Sequence, residues 1–281
     1  MLIFKRINRM IIVLLLVVVC VFLSGCKQVE FNYENGELVV GMECDYAPFN
    51  WTETVKTNSN VEIYQQKGLY ADGYDVQMAR LICKELNLKL VIKKIAFSGL
   101  IQALNSGDID VIIAGMSPTQ DRKYSINFTS EYYESEHVVI VSADEKYANA
   151  TKFSDFSGSN VVGQKGTSYE VLAAQLANKA NAKINPPLET VPLIISGIIL
   201  GDNDVTVVEK PVAISICYTN PSLKWIKLED NFEVKEEERI VSIGVRKNDD
   251  QLLNDLNLAL SKISKDTRDE LMNKASSDLN E

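Results

Sequence analysis

The chain has 281 residues, of which 46% are hydrophobic, 24% charged and 8% aromatic; this composition can form a folded core and excludes a disordered or collagen-like protein. Its formal charge is −9 and basic residues cluster only within the first ten positions, which argues against a nucleic-acid partner. Five scattered cysteines without a CxxC pair, and a single histidine, leave little material for a metal site, so neither a metal nor another cofactor is expected. Cys44, Cys83 and Cys217 are expected in the core, and a disulfide between the first two is left open.

The first residues are typical of an exported protein. Three cationic residues precede an uncharged run from 10 to 22, which suits the apolar core of a signal peptide and is short for a membrane span. Small residues then lead to Cys26, and this boundary resembles the lipobox of bacterial lipoproteins, where the chain is cut and the new amino-terminal cysteine is lipidated. We therefore expect a signal peptide over 1–25 and a lipid tether over 26–36, with an uncleaved anchor helix as the alternative. The mature chain would carry a charge of −12.

Apolar runs of strand length alternate with amphipathic segments of helix length along the mature chain, which predicts an α/β protein with mostly parallel sheets and covering helices. The predicted strands are 37–42, 89–95, 110–114, 136–142, 160–163, 204–208 and 239–245. The predicted helices are 75–86, 99–105, 168–178, 193–200, 211–217 and 249–263. Asp75 precedes an i, i+3, i+4 apolar pattern and is expected to cap its helix. Residues 52–70 show neither period, so they are predicted to be a long loop or small hairpin.

A helix, a Gly-Asp turn and a short buried strand are encoded twice. Residues 100–113 align without a gap to residues 194–207, at an offset of 94 residues. Gly107 and Gly201 fit the left-handed position that ends a helix. Chance recurrence of this short pattern is the alternative. If one motif is built in each half of the chain, a ligand site is expected beyond the carboxyl ends of the strands.

Residues 115–122 combine the features of an anion site. They follow a predicted buried strand, Pro118 restricts Ser117 to an extended conformation, and Arg122 comes three positions after a threonine suited to capping a helix. Free backbone N–H groups, a hydroxyl and a guanidinium together favour a carboxylate ligand. A second turn of this kind, 166–168, also lies between a strand and a helix. For Arg122, a solvated charge or a surface salt bridge is the alternative.

Several single residues also suggest a binding site. Glu209 ends a predicted buried strand, where a carboxylate needs a cationic partner, either a ligand ammonium or the adjacent Lys210. Tyr46 and Phe97 follow strands and could enclose an apolar or cationic side chain, although core packing is the commoner role of such aromatics. His137 has no cysteine or acid at nucleophile spacing and is expected to be structural.

In this order and spacing, the motifs resemble the extracellular solute-binding proteins, family 3, of polar amino acid ABC transporters, from about residue 37 to residue 275. The motifs that carry the resemblance are Tyr46-Ala-Pro-Phe49, Gly73-Tyr-Asp75-Val, Phe97-Ser-Gly-Leu-Ile-Gln-Ala-Leu104, the run from Gly107 to Arg122, Phe128-Thr-Ser-Glu-Tyr-Tyr133, Gly163-Gln-Lys-Gly-Thr-Ser168 and Val207-Val-Glu-Lys-Pro-Val-Ala213. The resemblance implies a two-lobed, type II periplasmic-binding-protein-like fold with the ligand cleft between the lobes. The first lobe would be discontinuous, over 37–140 and 232–281, and the second would span 141–231.

The resemblance also implies how the carboxylate end of an amino acid would be bound. Arg122 would bind the α-carboxylate. The backbone N–H groups of Ser117 and Ser168 and the hydroxyl of Thr167 would assist it.

The remaining implied contacts concern the ammonium group and the side chain of the ligand. Gly115 would accept a hydrogen bond from the α-ammonium and Glu209 would pair with it, although the family most often has aspartate at that position. Tyr46 and Phe97 would flank the ligand side chain.

The function implied by the resemblance is that of a lipid-anchored extracytoplasmic receptor. It would bind a free amino acid, close around it and deliver it to the permease subunits of an ABC importer, most simply as a monomer. The acidic surface and the aromatics slightly favour a polar or cationic ligand. The alternative is an enzyme on the same scaffold, similar to cyclohexadienyl dehydratase, with Glu209 as general acid. The insertion over 52–70 departs from shorter family members and could form a lid.

Overall fold

The computed structural model describes residues 30–278. The predicted signal peptide, 1–25, and the predicted lipidation site, Cys26, lie outside the described residues, as does the beginning of the predicted tether. Within the described part, no helix has both the length and the apolar character needed to cross a membrane.

Short strands and helices alternate along residues 30–278. The strands described there are β1 (Glu37–Met42), β2 (Asp45–Tyr46), β3 (Asn50–Glu53), β4 (Val61–Glu62), β5 (Tyr70–Asp72), β6 (Lys89–Lys94), β7 (Val111–Ile112), β8 (Asn127–Glu134), β9 (His137–Ser142), β10 (Asn160–Val162), β11 (Lys183–Ile184), β12 (Val205–Glu209), β13 (Leu223–Ile226) and β14 (Ile240–Val245). The α-helices described there are α1 (Tyr74–Leu86), α2 (Leu100–Ser106), α3 (Gln120–Ser125), α4 (Ser168–Ala180), α5 (Val191–Ile199), α6 (Lys210–Thr219), α7 (Asp250–Ser261) and α8 (Lys265–Asp278).

The first sheet has the strand order β6-β1-β7-β14-β8. Strands β6, β1 and β7 run parallel, with Val40 opposite both Ile92 and Val111, whereas β14 runs antiparallel to β7 and β8. Leu38, Val40 and Met42 are fully buried because α1 and α2 pack against this part of the sheet. Each such side chain contributes about 1.5–3 kcal/mol of hydrophobic stabilisation.

The second sheet repeats this pattern with the order β11-β10-β12-β9-β13. Strands β11, β10 and β12 run parallel, and β9 is antiparallel to β12 and β13. In each sheet, therefore, four strands point one way and a single strand opposes them. The opposing strands, β9 and β14, are those that the chain enters directly after leaving the other sheet. The prediction of two α/β lobes with mostly parallel sheets is confirmed.

The chain passes between the sheets twice. The first crossing is at residues 135–136 and the second at residues 227–239. Strand β9 lies wholly in the second sheet, so the first crossing comes before residue 140, where the sequence had suggested the lobe boundary. The first crossing leads from β8 of the first sheet to β9 of the second, and the second leads from β13 back to β14 of the first.

Residues 45–72 contain a small antiparallel sheet with the order β2-β3-β5-β4. The segment 52–70, predicted to be a loop or hairpin, thus contains all of β4 together with the end of β3 and the start of β5, and each of these strands is too short to show a sequence period. Ile63 is buried and pairs with Ile92 of β6, which joins this segment to the edge of the first sheet.

The internal repeat in the sequence is also a repeat in structure. Gly107 and Gly201, which follow equivalent helices, both have φ of +80°, a conformation that favours glycine. Asp110 accepts a hydrogen bond from a backbone N–H of β1 at 2.9 Å, and Asp204 accepts one from the first N–H of β10 at 2.7 Å. The same carboxylate contact therefore joins neighbouring parallel strands in both sheets.

Asp75 does not cap its helix, so that prediction was wrong. The residue before the helix is Gly73, and Asp75 lies in the first turn of α1, fully buried. Its carboxylate accepts hydrogen bonds from Asn50 Nδ2 and from the hydroxyl of Tyr132, both at 2.7 Å. The carboxylate is thus turned into the interior, where it joins β3 of the small sheet to β8 of the first sheet.

The three cysteines of the described part are unpaired. Cys44 and Cys83 are buried, as predicted for core residues, and Cys217 is half-buried. Burial raises the pKa of Cys44 to about 12, so its thiol stays protonated and unreactive at neutral pH.

Candidate functional site

Loops at the carboxyl ends of parallel strands meet between the two sheets, and we call the space they enclose the cleft. The residues that line it are Glu43, Tyr46, Phe97, Gly115, Ser117, Arg122, Gln164, Thr167, Ser168 and Tyr169. Seven of the eight predicted binding residues are in this set, and the eighth, Glu209, lies directly behind Tyr46. None of the lining residues comes from 52–70, so the structure gives no support to a lid there.

Arg122 is placed by the short helix α3, whose amino-terminal cap is Thr119. Its guanidinium lies over the ring of Phe97, 5.1 Å from the centroid, and donates to the carbonyl of Ser117 at 2.8 Å and of Gly166 at 3.1 Å. Burial lowers the pKa of Arg122 to about 10, so the group is still charged at neutral pH. Because these acceptors are uncharged carbonyls, the cation keeps its capacity to pair with an anion.

Glu209 is the last residue of β12 and is buried. Its Oε2 accepts a hydrogen bond from the hydroxyl of Tyr46 at 2.6 Å, and the hydroxyls of Tyr46 and Tyr169 are hydrogen-bonded to each other. Burial raises the pKa of Glu209 to about 7, and the tyrosine hydrogen bonds partly oppose that rise. Lys210 pairs instead with Glu136, at 2.8 Å, so it does not neutralise the carboxylate beside it in sequence.

Glu43 is a second buried carboxylate in the cleft, and sequence reasoning missed it. It follows β1 directly, and Gln164 Nε2 donates to both of its carboxylate oxygens at 2.9 Å. Burial raises the pKa of Glu43 to about 7, against the opposing effect of the Gln164 hydrogen bond. An acid at the carboxyl end of a buried strand was the signal used for Glu209, and the same rule would have identified Glu43.

In the turn before α4, the hydroxyl of Thr167 bonds within the protein and does not point to a ligand as expected. Thr167 caps the helix: its hydroxyl oxygen accepts from the N–H of Tyr169 at 3.1 Å and donates its proton to the carbonyl of Gln164 at 2.7 Å. That proton is therefore not free to reach a ligand carboxylate. Ser168 begins α4, where the first backbone N–H groups have no acceptor within the helix and so favour an anion.

Gly115 is confined by its neighbours. It has φ of +59°, and a Cβ atom there would lie 3.0 Å from Cε1 of Tyr46. Its N–H donates to the hydroxyl of Tyr132 at 3.1 Å. A side chain at this position would strain the backbone and crowd the ring of Tyr46.

Contacts across the cleft leave very little space. Tyr46 bonds Glu209, Glu43 bonds Gln164, and Arg122 reaches the loop before α4, so each of these links joins the two sheets. About 10 Å³ remains open to the centre of a water molecule, against roughly 300 Å³ or more in a typical small-molecule site. An amino acid could occupy the cleft only if these side chains separate.

The charges of the cleft form a simple pattern. Arg122 is a cation, whereas Glu43 and Glu209 are acids whose raised pKa values place them close to half-ionised at neutral pH. A cation brought near either acid favours its ionised form. The cleft therefore matches a molecule that carries one anionic group and two cationic groups.

Known proteins resemble this chain along most of its length. Residues 38–277 match the family model described as bacterial extracellular solute-binding proteins, family 3. The chain is 27% identical over 255 residues to an arginine-binding extracellular protein of Bacillus subtilis (strain 168), which covers 89% of this chain and 91% of that protein. It is 30% identical over 226 residues to a probable histidine-binding protein of Neisseria gonorrhoeae, and this alignment covers 80% of this chain and 76% of that protein.

The fold has a similar counterpart among solved structures. An amino acid ABC transporter substrate-binding protein from Streptococcus pneumoniae Canada MDR_19A, bound to L-arginine, superposes with a TM-score of 0.75 and 25% sequence identity. The match covers 88% of this chain and 98% of that one. These similarities support a role as a binding receptor.

Proposed function

We propose that this chain, which belongs to family 3 of the bacterial extracellular solute-binding proteins, is a receptor that binds a free amino acid with a cationic side chain for an ABC importer. The charge pattern of the cleft carries the proposal. A cationic amino acid has one carboxylate, one α-ammonium and a second cation on its side chain, which complements one guanidinium and two acids. The arginine-binding and histidine-binding names of the relatives support this choice.

The carboxylate of the ligand is assigned to Arg122. The guanidinium offers paired N–H donors that fit the two oxygens of a carboxylate. The backbone N–H groups of Ser117 and Ser168 complete an anion site in this proposal. Thr167 acts there through the helix cap that it forms.

The two cationic groups are assigned to the two acids. Glu209 takes the α-ammonium, together with the carbonyl of Gly115, and Glu43 takes the cation of the side chain. Tyr46 and Phe97 lie on either side of the ligand, where their ring faces can contact an apolar stem or a cation.

The receptor is proposed to be held at the outer face of the cell membrane by a lipid on Cys26. The support is the sequence of the first 26 residues together with the extracellular location in the family description. Permease subunits of the importer are the proposed partners. The mass of the amino-terminal peptide from membrane-extracted protein checks the anchor, and an unmodified peptide that begins at Met1 would exclude it.

A selectivity measurement tests the proposed ligand class. We expect L-arginine or L-lysine at a hundredfold excess over its Kd to stabilise the chain by about 2.7 kcal/mol in thermal unfolding. Glu43→Gln is expected to weaken L-arginine binding by about tenfold or more, because a buried charge then loses its partner, while binding of uncharged L-glutamine changes less.

Glu145→Gln is the matched control, since Glu145 is an exposed carboxylate outside the cleft. It should bind L-arginine as the natural chain does. If Glu43→Gln and the natural chain have equal affinities for L-arginine, the assignment of the side-chain cation to Glu43 is wrong. If no amino acid of the twenty stabilises the natural chain, the proposed function itself fails.

An enzyme remains a second candidate because of one observation. The pKa of Glu209, raised to about 7, would let this residue donate a proton at neutral pH, as a general acid must. Turnover of prephenate or arogenate that is lost in Glu209→Gln would favour this candidate over the receptor.

A further inference from the structure

A second cavity, of about 680 Å³, lies where the chain passes between the two sheets. Its walls come from residues 131–137 around the first crossing, from the second crossing, and from helix α8. We call it the crossing cavity. Within the described residues, it shares no lining side chain with the cleft. Because both crossings contribute to its walls, the shape of the crossing cavity depends on the angle between the sheets.

Most of the carboxylates around the crossing cavity already have partners. Glu136 pairs with two lysines at 2.8 and 2.5 Å, and Asp269 pairs with a lysine at 2.5 Å. Asp230 accepts a backbone N–H at 2.7 Å. The other two acids of the lining, Glu131 and Glu134, are exposed at the surface. Of the five acids in the walls, two are thus neutralised by lysines, one is bonded to the backbone, and the remaining two lie exposed to solvent.

The cationic side of the cavity has unused donors. Among the described residues, the side chain of Arg239 forms no hydrogen bond or ion pair. Arg268 donates to the carbonyls of Glu131 at 2.9 Å and of Leu260 at 2.8 Å, and its Nε is buried with no partner in the described part. Guanidinium groups bind carboxylate and phosphate oxygens through paired hydrogen bonds. These donors therefore match a small oxyanion.

His137 lines the same cavity and adds a further polar atom. Its Nε2 is buried and has no partner among residues 30–278. Burial, and to a smaller extent the positive charge of Arg239, lowers the pKa of His137 to about 4, so the imidazole is neutral at neutral pH. A neutral imidazole can still offer an N–H, so Arg239 and His137 can serve one anion together.

The crossing cavity and the cleft are separated by one layer of side chains. His137 stands directly opposite Glu209 in the pairing of β9 with β12, and its ring meets the edge of Tyr169 at 6.0 Å between centroids. Tyr169 lines the cleft, whereas His137 lines the crossing cavity. A residue that lines the crossing cavity, His137, is therefore in direct contact with a residue that lines the cleft, Tyr169.

We propose that the crossing cavity is a second ligand site, which binds a small oxyanion bearing carboxylate or phosphate groups and thereby changes the affinity of the cleft for its ligand. The proposal that an anion binds in the crossing cavity does not depend on which ligand the cleft binds. The proposed effect of the anion on the affinity of the cleft, in contrast, rests on the proposed function. An anion that favours one angle between the sheets changes the affinity of the cleft for its ligand. By linkage, the cleft ligand changes the affinity of the crossing cavity for the anion by the same factor.

Titration of the full chain with inorganic phosphate and with citrate, in sodium chloride of matched ionic strength, tests the site. We expect at least one of the two anions to raise the melting temperature beyond the chloride control, and which one does so identifies the oxyanion group. Arg239→Gln should weaken that binding by about tenfold or more, because a charge-assisted pair is lost. Lys67→Gln is the matched control, an exposed cation that does not line the cavity, and it should bind the anion as the natural chain does.

The outcomes separate the two proposals. Equal anion binding by the natural chain and Arg239→Gln, or no effect beyond that of chloride, overturns the crossing site. Anion binding that depends on Arg239 but leaves the affinity for L-arginine unchanged overturns the coupling alone. If the anion binds through Arg239 and no amino acid binds at all, the crossing site stands and the proposed function of the cleft fails. Without the anion, Arg239→Gln should bind L-arginine with unchanged affinity.

Discussion

At the level of single residues, Glu43 and Glu209 make the cleft sensitive to pH. Burial raises the pKa of each carboxyl group to about 7, so both are close to half-protonated at neutral pH without a ligand. A cationic ligand would favour their ionised forms and release protons as it binds. Affinity for L-arginine should therefore rise with pH through this range.

The stability of the unliganded chain should show the opposite dependence for Glu209. Its pKa is about 7 in the folded chain against an ordinary value of 4.5, so the folded state keeps a proton that the unfolded state releases. The contribution of this residue to stability is complete below about pH 4.5 and is lost as the pH rises through about 7. We expect the natural chain to lose on the order of 3 kcal/mol relative to Glu209→Gln across this window.

Thermal unfolding of the two chains at several pH values between 4.5 and 7.5 measures this difference. Glu145→Gln, which removes an exposed carboxylate, should follow the natural chain throughout. Parallel curves for the natural chain and Glu209→Gln would show that Glu209 titrates normally.

The sequence identified those cleft residues that lie in a recognisable local pattern. Arg122 and Gly115 were found because they follow a predicted strand within a motif that suits an anion. Tyr169 and Gln164 were missed because a tyrosine in a helix and an amide after a strand have no distinctive spacing. Their hydrogen-bond partners, Tyr46 and Glu43, also lie far away in the sequence. Contacts such as that between Gln164 and Glu43 depend on how the sheets face each other, which local patterns do not encode.

At the level of elements, a buried chain of hydrogen bonds fixes two cleft loops of the first sheet. Asn50 accepts from the N–H of Cys44 at 2.7 Å and donates to Asp75, which also accepts from Tyr132. The hydroxyl of Tyr132 in turn accepts the N–H of Gly115. The loop after β1 and the loop after β7 are thus held by one network beneath the cleft.

Asp75→Asn should disrupt this network. The new amide would point its donor either at Nδ2 of Asn50, which is also a donor because the oxygen of Asn50 is bonded to Cys44, or at the hydroxyl of Tyr132, whose proton then loses its acceptor. An unsatisfied buried group costs about 1–3 kcal/mol, and urea unfolding measures that loss. The double variant Asn50→Asp, Asp75→Asn restores an acceptor opposite a donor and should recover most of the stability. A double variant no more stable than the single one would contradict this account.

The elements that the sequence predicted are those with a clear apolar pattern, and the remainder lack one. Strand β1 matches its prediction because Val39 and Val40 continue an apolar run that the sheet buries. Strand β8 was missed since register shifts in its pairing with β14 break its alternation. Helix α8 was missed because it is mostly polar, and only residues such as Met272 and Ala275 are buried.

At the scale of the whole molecule, the cleft lies between two sheets that the chain connects by two crossings within residues 30–278. A ligand that contacts Arg122 on one side and Glu209 on the other stabilises only the arrangement in which both are near it. Moving a population from 1:99 to 99:1 takes about 5.5 kcal/mol, and each buried charge pair contributes roughly 2–5 kcal/mol by truncation. Two such contacts, one on each side of the cleft, are of the size that this shift requires.

The central claim is that an amino acid bound at Arg122 and at Glu209 of the facing sheet closes the two lobes. The most direct test is the distance between spin labels at Lys67→Cys and Lys183→Cys, exposed positions beside the first and in the second sheet, during titration with L-arginine. We expect L-arginine to convert the distance distribution to a single short state, and the same labels in Arg122→Ala not to respond. An unchanged distribution in the natural sequence, or an equal response in Arg122→Ala, would contradict it.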